Sequence, residues 1–372
     1  MATRTIIFKA IESCNANCVY CDVIKKHQKH IMNYELLEVV FKRMNEFLII
    51  HLNEQIEFLW HGGELCLLGA DYFNKALEIQ NKTCLETSDR IHHSIQSNLT
   101  VINQNIINAF KNMGINQVGT SYDMYNHIRG IGANRNTKKY NELFFNGLEL
   151  LRKNNMLGSV IYVVHKKSLS TPLDIFYHLC NLFYDSSIKF NIVNIYGEDK
   201  YELKITDEEF AHFIGVIFQE WWGCKYTLPQ MSSFRDYYYA LTERRFHTAC
   251  SKTGTCAYRW LYIDPLGKAK HCCDGDLGFP KGYGYIQENT LEELYHHNFR
   301  NQILGRHYAL PKNECRGCRF WGVCHGGCAW EAKNYHDSFH MSNNCKVTKI
   351  FLEQYFEPIT GLKFNLPPKN LN

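Results

Sequence analysis

Three cysteines close behind the first extended stretch limit what this chain can be. Cys14, Cys18 and Cys21 follow the spacing C-x3-C-x2-C directly after Thr5–Ile11, a run with strand character. The chain has 16 cysteines in 372 residues, and more than half of them lie between Cys250 and Cys345. Oxidising compartments use cysteines for disulfides, whereas reducing ones keep thiols available for metals. The opening residues, MATRTIIFKAIESC, hold no apolar run of the signal-peptide kind. The expectation is a cytoplasmic protein whose cysteines bind metal.

Three thiolates on one tight loop can hold three irons of a [4Fe–4S] cluster and leave the fourth iron open to a substrate. A zinc ion with His27 or His30 as fourth ligand, or three unrelated thiols, are the plainer alternatives. An aromatic residue, Tyr20, before the last cysteine makes the pattern more specific.

Around this loop the chain alternates strand-like and helix-like segments as far as residue 225. Strands are expected at Thr5–Ile11, Gln55–Trp60, Ile91–Gln96, Gln117–Tyr122, Val160–Val164 and Ile188–Val193. Helices are expected at Tyr34–Ile50, Asp71–Thr83, Ile102–Asn112, Tyr140–Asn154 and Leu173–Phe183. Such alternation predicts parallel βαβ units, here an α/β partial (β/α)6 TIM-type barrel with its chemistry at the carboxyl ends of the strands. Residues 226–249 are expected to form a helical bridge. From residue 250 to 372 the texture turns to loops, glycines and cysteines, with helices at Thr290–Ile303 and Lys346–Phe356. The net charge of +4 is small and no Lys/Arg block occurs, so neither nucleic acid nor a membrane is an implied partner. The longest apolar stretches fall far short of the roughly 20 residues of a membrane span.

The trio and the strand ends that follow it resemble the radical S-adenosylmethionine (SAM) superfamily. His61-Gly62-Gly63-Glu64 is similar to the family's GGE motif, which binds the amino group of SAM. Gln96-Ser97-Asn98-Leu99-Thr100 is similar to its Q-T-N-G-T segment. Ser121-Tyr122-Asp123 with His127-Ile128-Arg129-Gly130 is similar to S-x-D…I-R-G, whose Ser and Arg are expected to hold the SAM carboxylate. The resemblance makes Cys14, Cys18 and Cys21 the ligands of the SAM-binding cluster. It makes Tyr20, Gly62, Gly63, Glu64, Asn98, Ser121 and Arg129 the SAM contacts, with Tyr20 near the adenine. The implied chemistry is one-electron cleavage of SAM to a 5′-deoxyadenosyl radical, which takes a hydrogen atom from the substrate.

The later cysteines resemble a SPASM domain. Cys256-x10-Gly267-x4-Cys272 leads to Cys315-x2-Cys318-x5-Cys324-x3-Cys328 and then Cys345, with Cys250 as an eighth ligand. By resemblance to the anaerobic sulfatase-maturing branch, one auxiliary [4Fe–4S] cluster takes Cys250, Cys256, Cys272 and Cys328, and the other takes Cys315, Cys318, Cys324 and Cys345. Cys273 could stand in for Cys272. Paired zinc ribbons are the alternative for this set. Cys66, Cys84, Cys180 and Cys224 are expected as small buried hydrophobes.

The family acts mostly on peptides or proteins and draws electrons from a low-potential donor of flavodoxin or ferredoxin type. Oxidative modification of a ribosomally made precursor peptide is placed first. Formylglycine formation, as in sulfatase maturation, is placed second for three reasons. Asp22-Val23 follows Cys21 where that branch has a tyrosine-bearing run. Leu65 follows the GGE motif in place of proline, and Cys273 intervenes before Asp274. Asp274 is the candidate proton acceptor, with Asp276 competing and a simple turn around Gly275 as the plainer reading. A radical SAM dehydrogenase of a small molecule and a non-catalytic iron–sulfur scaffold are the remaining rivals.

Overall fold

The computed structural model describes residues 2–21, 29–194, 202–243, 254, 256–273, 277, 279–336 and 344–365. In chain order the elements are β1 (Ala2–Ile11), α1 (Tyr34–Ile50), β2 (Glu54–Gly62), α2 (Gly69–Thr83), β3 (Ile91–Gln96), α3 (Gln104–Asn112), β4 (Val118–Tyr122) and α4 (Thr137–Lys153). Then come β5 (Leu157–Val164), α5 (Pro172–Leu182), β6 (Ile188–Ile192), α6 (Asp207–Cys224) and α7 (Ser232–Thr242). All six expected strands form, and the class is α/β with a largely parallel sheet. The chain divides into two compact units, residues 1–158 with 258–300, and residues 159–257 with 301–372.

In the first unit β1 pairs in parallel with β2, β2 with β3, and β3 with β4. Three strands absent from the sequence-based reading join the other side: β7 (Trp260–Ile263) pairs in parallel with β1, followed by antiparallel β8 (Lys268–Lys270) and β9 (Gly284–Tyr285). The strand that carries the first cysteine loop therefore lies inside this sheet, with β2 and β7 on either side.

The two faces of the sheet differ in chemistry because side chains alternate along a strand. One face sends Phe8, Phe58 and Trp60 into the helices. Phe41 of α1 lies 5.6 Å from Phe58, and Phe73 of α2 lies 5.4 Å from Trp60, ring centre to ring centre. Phe73 in turn meets Phe110 of α3 edge-on at 5.0 Å. The other face is polar. Glu57 accepts from Thr5 Oγ1 at 3.3 Å, Ser94 Oγ at 3.2 Å and Arg259 Nη2 at 3.3 Å. Lys9 and His61 stand opposite each other in register nearer the strand ends, on that same polar side by alternation.

The helices begin where short polar side chains can bind free backbone amides. Asn33, Asn103 and Asn136 accept from Leu36, Ile106 and Lys139 at the starts of α1, α3 and α4. In the second unit β5 and β6 pair in parallel, and Thr206 and Glu209 form a reciprocal capping box on α6. The helix Asn344–Phe351 packs against α6 through Phe351, which is fully buried beside Phe218, Phe234 and Tyr237. A π-helical turn at Leu352–Phe356 follows it. The helix expected at Thr290–Ile303 is two helices, Leu291–Tyr295 and Arg300–Ala309. They are separated by a turn in which His297 Nδ1 accepts from the amide of Phe299.

His93 is a buried polar link between β3 and its neighbours. Its Nδ1 accepts from Trp60 Nε1 at 3.1 Å and its Nε2 lies 2.6 Å from Gln80 Oε1, which fixes a neutral ring. Burial, with His92 nearby, lowers its pKa to about 3. The folded value lies below the unfolded one near 6.5, so the stability contributed by neutral His93 is full above pH 6.5. It drains as the pH falls from there toward 3, by up to about 1.4 kcal/mol per pH unit. Thermal unfolding followed from pH 7 to 4 is expected to lose stability less steeply in a His93→Gln variant than in the parent chain.

Candidate active site and cysteine clusters

The loop after β1 is sewn to a second segment by backbone hydrogen bonds. The amide of Asn17 donates to Gly130 at 2.7 Å and that of Val19 to Ile128 at 2.9 Å, while within the loop the amide of Cys21 donates to Cys18 at 3.2 Å. Arg135 Nε adds a 2.7 Å bond to the Asn17 carbonyl. Cys14, Cys18 and Cys21 are half-buried free thiols. Burial pushes the Cys14 thiol up to about 12 and raises Cys18 as well. Thiols in such surroundings become thiolates when a metal replaces their protons.

The far end of β2 explains why two glycines are needed. The amides of Gly63 and Glu64 donate to the carbonyls of Ile11 and Ser13, both at 2.9 Å. A Cβ on Gly62 would lie 2.4 Å from the Ile11 oxygen, and one on Gly63 would lie 1.9 Å from the Ser13 oxygen. Gly62 also has φ +144°, a region that disfavours side chains. Only a bare backbone can run this close to the root of the cysteine loop.

Glu64 is buried and turned inward. Its carboxylate accepts from the Cys66 amide at 2.9 Å, Ser97 Oγ at 2.7 Å and the Asn98 amide at 2.6 Å. Burial raises its carboxyl above the ordinary range against the pull of these donors. A carboxylate so occupied holds the segment after β3 in place. Asn98 Nδ2 lies 3.8 Å from Cys14 Sγ and 3.0 Å from Asn15 Oδ1, while its Oδ1 accepts from Thr100 Oγ1 at 2.6 Å. Leu99, where the family motif has glycine, adopts a left-handed φ of +64°. The α4 backbone at Gly147 is packed so tightly there that a Cβ would meet the Leu99 carbonyl at 2.3 Å.

Arg129 completes the arrangement. Its Nε donates to Tyr20 Oη at 2.7 Å, and its Nη1 donates to the Ser121 carbonyl at 2.7 Å and to Tyr140 Oη at 3.0 Å. It is 8 % exposed, and among the described residues its Nη2 makes no hydrogen bond. The structure thus brings Tyr20, Gly62, Gly63, Glu64, Asn98, Ser121 and Arg129 around the three cysteines, all within the first unit. Tyr140 and Asn15 belong to the same network and carried no sequence signal, since each is a common residue on a helix or loop.

In the second unit Cys315, Cys318, Cys324 and Cys345 line one pocket with Phe320 and Trp321. Burial raises Cys315 to about 12 and Cys345 to about 11. Among the described residues no group of three His, Cys, Asp or Glu closes on a single ion. Four thiols on one pocket make up the donor set of an iron–sulfur cluster. Cys256 and Cys328 are described in this unit and Cys272 in the first, while Cys250, Asp274, Asp276 and His27 lie outside the described residues. Cys66, Cys84 and Cys180 are buried as expected. Cys224 is not: it ends α6 and is exposed. Tyr237 is buried in its helix and Tyr238 and Tyr239 are partly so, as packing residues are.

A Gly63→Ala variant is expected to displace the cysteine loop. Iron analysis should show loss of about four irons, one cluster, relative to the parent chain, with circular dichroism unchanged.

Residues 9–180 match the radical SAM superfamily. The chain is 25 % identical over 381 residues to the cysteine-type anaerobic sulfatase-maturating enzyme of Clostridium perfringens, covering 97 % of this chain and 98 % of that protein. It is 26 % identical over 361 residues to the serine-type anaerobic sulfatase-maturating enzyme of Bacteroides thetaiotaomicron, with 85 % and 80 % covered. The solved structure described as native anSMEcpe with bound AdoMet and Cp18Cys peptide superposes with a TM-score of 0.82 at 22 % identity, over 96 % of this chain and 98 % of that one. With its motif cysteines, glycines and arginine gathered in one place, residues 9–180 carry a radical SAM domain, and the chain as a whole is similar to the anaerobic sulfatase-maturating enzymes.

Proposed function

We propose that this enzyme oxidises a cysteine or serine side chain of a protein substrate to formylglycine, in the manner of an anaerobic sulfatase-maturating enzyme. What supports this reading is similarity over 98 % of one such enzyme and 80 % of another. The order chosen from sequence, with precursor-peptide modification first, is therefore reversed. That second reading keeps one specific support: Cys273 occupies the position after Cys272 where the maturase pattern has an aspartate. As assigned from sequence, Cys14, Cys18 and Cys21 would hold the SAM-binding cluster. Cys250, Cys256, Cys272 and Cys328 would hold one auxiliary cluster, and Cys315, Cys318, Cys324 and Cys345 the other. When bound, the clusters and SAM supply a one-electron reductant and a radical able to take a hydrogen atom from the substrate.

The chain's own residues set the stage for that chemistry. The backbone at Gly62–Gly63 offers polar groups to an ammonium, and Arg129 offers Nη2 to a carboxylate, so a zwitterionic amino-acid moiety is held at both ends. Tyr20 and Tyr140 fix the guanidinium plane through their hydroxyls. Glu64 keeps Asn98 beside Cys14. The polar sheet face with Lys9 and His61 is the surface toward which a substrate side chain would be presented, and Asp274 is the proposed proton acceptor. A flavodoxin- or ferredoxin-type donor would supply electrons. The reducing cytoplasm is the setting in which such thiols stay available. No helix among the described residues is long and apolar enough to cross a membrane. Residues 1–225 would form the SAM-cleaving part, 226–249 a helical bridge, and 250–372 the auxiliary-cluster domain.

Two measurements test this. Anaerobically reconstituted enzyme is expected to hold about twelve irons and to release 5′-deoxyadenosine from SAM with a strong reductant. Replacing Cys14, Cys18 and Cys21 with alanine should abolish that release and leave about eight irons. Peptides that carry a sulfatase maturation site with cysteine or serine should acquire an aldehyde, read by mass spectrometry of a hydrazine adduct. Deoxyadenosine release without aldehyde on either peptide would reject formylglycine formation and favour the precursor-peptide reading.

A further inference from the structure

Between Cys324 and Cys328 the chain takes an unusual path. His325, Gly326 and Gly327 are consecutive left-handed residues, with φ of +50°, +78° and +71°. A turn of this kind points successive carbonyls away from a normal helical or strand ladder and leaves them in need of donors. One buried side chain supplies them. Arg306, 4 % exposed, donates from Nη1 to the Gly327 carbonyl at 3.0 Å and from Nη2 to the Gly326 carbonyl at 2.7 Å. A Cβ on Gly326 would lie 2.3 Å from Leu310 Cδ1, so the loop packs closely on the turn that follows the helix carrying the arginine.

The surroundings of Arg306 are the unexpected part. Among the described residues no carboxylate is one of the charges acting most strongly on it. Those charges are the thiols of Cys328, Cys256, Cys324 and Cys315, and burial works against its own charge. Two of these cysteines belong to each auxiliary set assigned above. The guanidinium is thus a buried cation shared by both sets, braced on the loop that passes from one to the other. Reduction of a four-thiolate [4Fe–4S] cluster by one electron makes it one charge more negative. A fixed buried cation favours that state, and cluster potentials follow local charge and hydrogen bonding.

We propose that Arg306 tunes both auxiliary clusters, raising their reduction potentials so that they accept an electron more readily. This rests on the cluster assignment under Proposed function. It makes Arg306 a positioning and potential-setting residue that touches neither substrate nor SAM.

The test uses the full-length chain with Cys14, Cys18 and Cys21 replaced by alanine, so that only auxiliary clusters contribute to the spectrum. Potentials are measured by an EPR-monitored redox titration, alongside iron content, with Arg306→Gln and Arg306→Lys added separately. R306Q is expected to keep its iron and to lower both potentials by at least a tenfold change in the reduction equilibrium, about 59 mV for a one-electron couple. R306K, which keeps the charge, should titrate close to the parent. Unchanged potentials in R306Q at full iron content would overturn the inference. If R306Q loses iron, R306K decides. Full iron with parental potentials supports the role of the charge, and iron loss there too reduces Arg306 to a loop brace. A parent without auxiliary iron would sink the cluster assignment itself, a result separate from either of these.

Discussion

The site depends on a backbone-to-backbone approach at the end of β2. Gly62 and Gly63 lie against the carbonyls of Ile11 and Ser13, so two chain segments touch where side chains would normally separate them. The amides of Gly63 and Glu64 bond to those carbonyls and hold the root of the cysteine loop. From there the constraint passes outward. Glu64 begins at that contact and fixes Ser97 and Asn98, Asn98 reaches Cys14, and the loop's far side is tied to Ile128 and Gly130. Arg129, between those last two, is thereby set beside Tyr20. Every member of the site is referred to this one close approach.

Much of this was legible in the residues. Strand positions were plain because β-branched and aromatic runs alternate with helical spacing, and the cysteine spacing marked the loop after β1. What escaped was of two kinds. Strands β7 to β9 are two to four residues long and lie among glycines and cysteines, so no period could reveal them; the pairing of β7 with β1 is decided by tertiary contact. The break between Leu291–Tyr295 and Arg300–Ala309 depends on His297 capturing the Phe299 amide, a local competition that periodicity does not register. At the site, the motif residues were recognisable, but the role of Glu64 was not. Sequence suggests a carboxylate for an ammonium, whereas the structure turns it toward three internal donors. Leu99 shows the reverse case: a residue that breaks the motif holds the backbone shape that glycine would adopt freely.

Similarity to two maturating enzymes supports the proposed reaction class, while Cys273 marks a departure beside a proposed cluster ligand. A thiol and a carboxylate differ in what they accept: a thiol's usual pKa lies several units above that of aspartate, so it takes and keeps a proton more readily.

The place of β1 within its sheet has one more consequence. Ladders run along both of its edges, so no fluctuation at a sheet margin reaches it without first undoing a neighbour. The cysteine loop is anchored to a strand paired along both edges. A redox centre hung there meets a stiff environment, in which gaining or losing an electron disturbs few atoms, and so little energy is spent on rearrangement around each transfer.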